Sequence, residues 1–70
     1  MTESKAERFQ RIGEQRVRGV MEAVRKLGNL SNTSYYDFDA ADVERMFSDI
    51  DAEMARAKSR FEEALSRGAR

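Results

Sequence analysis

Residues 39–65, DAADVERMFSDIDAEMARAKSRFEEAL, contain no proline and carry one continuous apolar series. Its members recur in steps of three and four, which is the spacing of one face of an α-helix. They are Val43, Met46, Phe47, Ile50, Met54, Ala57, Phe61, Ala64 and Leu65. Asp39 precedes the series and is a favourable N-cap, and Arg67 and Gly68 suit the other end. The pattern predicts a long helix over about 40–67.

A second apolar series of the same spacing lies upstream. It consists of Ala6, Phe9, Ile12, Val17, Val20, Met21, Val24 and Leu27, and it predicts a helix over about 3–27. Gly28 follows at once, and we expect it to adopt the left-handed conformation that often ends a helix.

Residues 28–39 connect the two segments and form the predicted corner. Neighbouring helices joined by a short connection run antiparallel, so the fold class is all-α, an antiparallel helical hairpin in a single domain over 1–70. In a register where paired residue numbers sum to about 70, coiled-coil-like packing brings Phe9 to Phe61 and Gly13 to Ala57. Helical glycine costs about 1 kcal/mol against alanine, and close backbone approach at Gly13 would explain its presence.

The two apolar stripes differ in width. At helical spacing the second helix has a stripe about 100° wide, which suits one neighbour, whereas the first helix has one of about 180°. We therefore expect a homodimer in which two hairpins form a four-helix bundle. A foreign protein docking on the same face is the rival interpretation. The predicted partner or dimer interface consists of Ile12, Arg16, Val17, Val20, Met21 and Val24.

Arg16 interrupts this stripe, and an unpaired buried charge is costly. In the register above it lies near Asp51 and Glu53. An ion pair within the chain and a contact with a partner's carboxylate both remain open.

Composition restricts the chemistry available to the chain. The 70 residues include no cysteine and no histidine, which excludes finger-type zinc sites and histidine-based catalysis. The acids that begin at Asp37 do not match a calcium-binding loop, because Asp42 stands where glycine is needed and Ser48 where glutamate is needed. We expect no enzyme activity, no metal, no cofactor and no small-molecule substrate.

The chain has neither a signal-peptide pattern nor an apolar run long enough for a membrane span, and we expect a cytoplasmic protein without membrane contact. Two stretches match glycosylation sequons, Asn29-Leu30-Ser31 and Asn32-Thr33-Ser34. We attribute both matches to chance in the absence of a secretory signal.

A nucleic-acid partner is the main alternative. The open end of the predicted hairpin is basic, although the whole chain has a net charge of +0, and cations there could contact phosphates. The residues concerned are Arg8, Arg11, Arg18, Arg56, Lys58 and Arg60. They are scattered around both helices, with no interleaved aromatic residue to stack on bases, so a solvated charged surface explains them as well.

The corner holds three aromatic residues within four positions: Tyr35, Tyr36 and Phe38. They could form an exposed contact site, since tyrosine is enriched at interfaces. They could equally cover the end of the bundle. We expect Tyr36 and Phe38 to act as such a lid and Tyr35 to face outward.

The stretches RIGEQRVRGVMEAVRKLGNLSN, residues 11–32, and YYDFDAADVERMFSDIDAEMARAKSRF, residues 35–61, resemble small uncharacterised bacterial proteins found in mobile-element contexts. Those proteins share an LGNLSN-type corner and a DV-x-x-[MI]-F helix start. The resemblance covers about 9–61, supports two helices and implies no established activity.

Together these features predict a non-enzymatic helical protein-interaction module that self-associates. It would serve as an adaptor, an assembly subunit or a small inhibitor that occupies a partner's surface. The alternative is an accessory nucleic-acid-binding protein that uses the basic open end.

Overall fold

The structure is a computed structural model that describes residues 2–68. Over that range the chain is all-α, as the apolar spacing predicts, with two long helices, one 3-10 turn and no strand. The chain divides into two units, one ending at Asp37 and the other beginning at Phe38. Each unit contains one of the long helices.

Helix α1 spans Lys5–Gly28, or about 36 Å at the usual rise per residue. It begins at a capping box, in which the Glu7 backbone N–H donates to Ser4 Oγ at 3.0 Å and the Ser4 N–H donates to Glu7 Oε1 at 2.9 Å. These two bonds satisfy backbone donors that a helix start otherwise leaves open. The predicted start at residue 3 was two positions early.

A bidentate ion pair reinforces this start. Arg11 donates from Nε and from a terminal guanidinium nitrogen to the two carboxylate oxygens of Glu3, both at 2.9 Å. The pair lowers the pKa of Glu3 and raises the pKa of Arg11.

Hydrogen bonds from Ser4 lower the pKa of Glu7 below its ordinary value of 4.5. The stabilisation from Glu7 is therefore present above pH 4.5 and is lost as the pH falls through the lowered pKa.

The other end of α1 differs from the prediction. Gly28 is the last residue of α1, but its φ of −60° and ψ of −26° are right-handed. The left-handed prediction was wrong because the chain continues its right-handed turn. The Asn29 N–H bonds to the carbonyl of Arg25, and residues Asn29–Ser31 form the 3-10 turn.

The rest of the corner is organised by Asn32. Its side-chain oxygen accepts from the Ser34 N–H at 3.0 Å, and its carbonyl accepts from the N–H groups of Tyr35 and Tyr36, both at 3.1 Å. Asparagine commonly forms local bonds of this kind in turns. These bonds fix the backbone that carries the two tyrosines.

Helix α2 spans Ala40–Ser66, about 40 Å. Asp39 is its N-cap, as predicted. The Asp42 N–H donates to Asp39 Oδ1 at 2.8 Å and the Asp39 N–H donates to Asp42 Oδ2 at 3.1 Å. The helix ends one residue earlier than predicted, and Gly68 follows with a φ of +103°. Glycine adopts this left-handed conformation without the strain that a Cβ brings.

None of residues 2–68 is buried. The least exposed apolar side chains are Ile12 and Leu27 on α1 and Val43, Met46, Ile50 and Ala64 on α2, all of intermediate exposure. The antiparallel hairpin, its register and the dimer stay predictions.

Candidate interaction surface

The predicted interface residues of α1 lie on one broad face of that helix. We call this the apolar face of α1, and it consists of Phe9, Ile12, Gly13, Val17, Val20, Met21, Val24 and Leu27. Phe9, Val17, Val20, Met21 and Val24 are each between 46% and 62% exposed. Soluble proteins rarely leave a contiguous apolar surface of this kind in water unless it binds something.

Arg16 lies within the apolar face and is exposed. It has no ion-pair partner among residues 2–68. Glu53, one of the two acids considered for it, accepts a hydrogen bond from Arg56 at 2.6 Å within α2. That bond lowers the pKa of Glu53 and raises the pKa of Arg56.

Gly13 lies near the middle of the apolar face. A Cβ built on it meets nothing within 4 Å, and the same holds for Gly19, which lies just outside the apolar face, beside its Ile12 edge. Nothing among the described residues therefore requires glycine at either position. Because helical glycine costs about 1 kcal/mol against alanine, a close approach by another helix remains the reason we predict for Gly13.

The corner aromatics differ in exposure. Tyr35 is 81% exposed, whereas Tyr36 is 49% and Phe38 is 40% exposed. The hydrogen bonds to Asn32 hold the two tyrosines on adjacent positions of one turn. Whether Tyr36 and Phe38 form a lid stays a prediction.

Two of the six predicted phosphate contacts are engaged elsewhere. Arg11 is held by Glu3 and Arg56 by Glu53, at hydrogen-bond distance in both cases. Arg8 lies 3.9 Å from the same Glu3 carboxylate. These contacts neutralise part of the positive charge on each helix.

Over residues 2–68, no group of three or more acidic side chains is placed to hold a metal ion. In the same part of the chain, neither helix combines the length and the apolar composition that a bilayer span requires.

Three residues with structural roles were missed in the sequence. Ser4 and Glu7 carry the S-x-x-E signature of a capping box, which would have given the true start of α1. Asn32, two residues before Ser34, has the spacing of a side-chain-to-backbone turn. The pairing of Glu3 with Arg11 has no comparable signal, because the eight-residue separation is not a helical neighbour spacing.

Comparison of this chain with protein-family models, with curated proteins and with solved structures finds no match.

Replacing each helical glycine by alanine separates helix propensity from packing. Gly19→Ala should stabilise α1 by up to about 1 kcal/mol and leave association unchanged. Gly13→Ala should give the same local gain but weaken association, because the added methyl group holds a neighbouring helix away. Circular dichroism measures helix content, and sedimentation equilibrium measures association. Equal effects of the two variants on both readouts would contradict close approach at Gly13.

Alanine substitutions in the corner distinguish a lid from a contact site. Tyr36→Ala and Phe38→Ala should each cost about 1–3 kcal/mol, since a partly buried aromatic contributes less than a fully buried one. Tyr35→Ala should leave the melting temperature nearly unchanged. If all three variants melt like the parent protein but lose binding to a partner, the corner is the binding site and the lid is wrong.

Proposed function

We propose that this protein is a non-enzymatic helical protein-interaction module that self-associates through the apolar face of α1. The single observation that supports this proposal most strongly is the exposure of that face. Its large residues recur along α1 from Phe9 to Leu27, and none of them is buried. The face therefore runs nearly the whole length of the helix.

Burying such a face against a partner is favourable because of the hydrophobic effect. Fully burying one valine, leucine, phenylalanine or methionine side chain contributes about 1.5–3 kcal/mol. Val17, Val20 and Met21 are each more than half exposed, so most of this contribution is still available to a partner. Several such residues together can offset the entropy lost when two chains associate.

The width of the face favours a partner in another molecule. Its residues extend over about 180° of the helix, from Ile12 round to Met21, which is wider than the seam that a single neighbouring helix covers. The described residues include one long helix besides α1. A second molecule is therefore the simplest source of a further neighbour, and two copies would complete a bundle of four helices.

The module would act by occupying the surface of a partner protein. An adaptor, an assembly subunit and a small inhibitor all require a stable helical body and an exposed contact region, and none requires a catalytic group. Tyr35, which is 81% exposed at the corner, is the contact residue that we assign to such partners. The mobile-element resemblance is compatible with each of these uses.

Nucleic-acid binding ranks below this proposal. Arg11 and Arg56 are already bound to carboxylates, and a phosphate would have to compete with those ion pairs. The net charge of the whole chain is +0, whereas nucleic-acid-binding domains are usually basic.

A matched pair of substitutions on α1 tests the proposal. Val20→Glu and Gln15→Glu each add one negative charge to the same helix, and glutamate forms helices well. Val20 belongs to the apolar face, and Gln15 lies outside it. Val20→Glu should weaken self-association by at least about 100-fold, because a symmetric dimer would bury two such charges. Sedimentation equilibrium over a concentration series measures the change.

Gln15→Glu is the control and should associate like the parent. If the parent is a monomer throughout the series, or if Val20→Glu associates as tightly as Gln15→Glu, self-association through this face is wrong.

A further inference from the structure

The charges of α1 are mostly positive. The helix carries seven cations and three anions, a net charge of +4. Arg8 and Arg11 contact Glu3. The other five cations have no ion-pair partner among residues 2–68: Lys5, Arg16, Arg18, Arg25 and Lys26.

The charges of α2 have the opposite balance. Helix α2 carries seven anions and four cations, a net charge of −3. Asp42, Glu53 and Glu63 are each paired with an arginine one turn along. The remaining four acids have no ion-pair partner in the described part of the chain: Glu44, Asp49, Asp51 and Glu62.

We propose that the occupant of the apolar face of α1 is helix α2 of a second copy of this chain. The inference rests on the proposed function and adds the identity and the element of the partner. Opposite net charges favour this pairing, because complementary potentials steer association and like charges oppose it. A twofold axis then forms the contact twice, with α1 of each copy against α2 of the other.

Two α1 helices placed side by side are the competing arrangement. That arrangement places two helices of net charge +4 next to each other. Arg16 of each copy would then face the positively charged α1 helix of the other copy. Helix α2 also fits in length, since its 27 residues match the 24 of α1. Its apolar stripe, from Val43 to Leu65, supplies a second apolar surface of similar length.

Single cysteines can map the pairing, because the natural chain has none. Val17 lies at the midpoint of α1 and Met54 lies one residue from the midpoint of α2. These positions come level with each other whether the helices pair parallel or antiparallel. Both side chains are apolar and more than half exposed, so Val17→Cys and Met54→Cys leave the polar surface of the helices unchanged.

The experiment mixes the two cysteine variants in equal amounts at a concentration where the parent dimerises. A short bis-maleimide reagent is added, and mass spectrometry separates the three possible two-chain products. The mixed product of Val17→Cys with Met54→Cys should form at least about tenfold faster than with the control Gln15→Cys in place of Val17→Cys, because pairing holds the thiols at a high effective concentration. Gln15 lies outside the apolar face of α1.

Three results would overturn the inference. Rapid linking of Val17→Cys to itself would show that α1 pairs with α1. Equal rates with the Gln15→Cys control would show that α2 of the second copy does not cover this face. Both results, if the parent remains a dimer, leave the proposed function intact. A parent chain that is monomeric by sedimentation would instead remove the inference and the self-association together.

Discussion

Contact between water and the apolar face of α1 is the constraint on which the rest of this structure depends. Isolated helices are marginal in water, and most helix stability in proteins comes from packing of an apolar face. In this chain no residue from 2 to 68 is buried, so packing within the described part of the chain contributes little of that stability. Helices over Lys5–Gly28 and Ala40–Ser66 would gain this stabilisation by burying their apolar faces against another surface, and the proposed self-association would supply one.

Local interactions decide where the helices begin and end, but they are too weak to replace packing. The capping boxes at Ser4 and Asp39 satisfy backbone donors, and such a cap typically contributes about 1 kcal/mol. The pair between Glu3 and Arg11 is exposed and screened by salt. These contacts bias the chain toward the correct helix limits, while the apolar face determines whether the helices persist.

The helices could be predicted from the sequence because the residues that specify each helix lie within or next to that helix. The spacing of apolar residues gave both elements, and Asp39 gave the start of α2 to the residue. Gly28 was assigned the wrong conformation because a glycine permits the left-handed region without requiring it, and here Asn29 continues the right-handed turn. The partner that we propose for α1 has no local signal in the sequence. Pairing between helices that are far apart in sequence depends on apolar surfaces, and many apolar helices offer a similar surface. In this chain, the features that narrow the choice of partner helix are the charges of the two helices and the free space around Gly13.

The most direct test of this account is the dependence of thermal unfolding on protein concentration. When folding and dimerisation are coupled, mass action stabilises the folded dimer as concentration rises. The account predicts a melting temperature, followed by circular dichroism, that rises by about 3–6 °C for each tenfold increase. A melting temperature that is constant over about three decades of concentration would contradict it, because the helices would then be stable without a second copy.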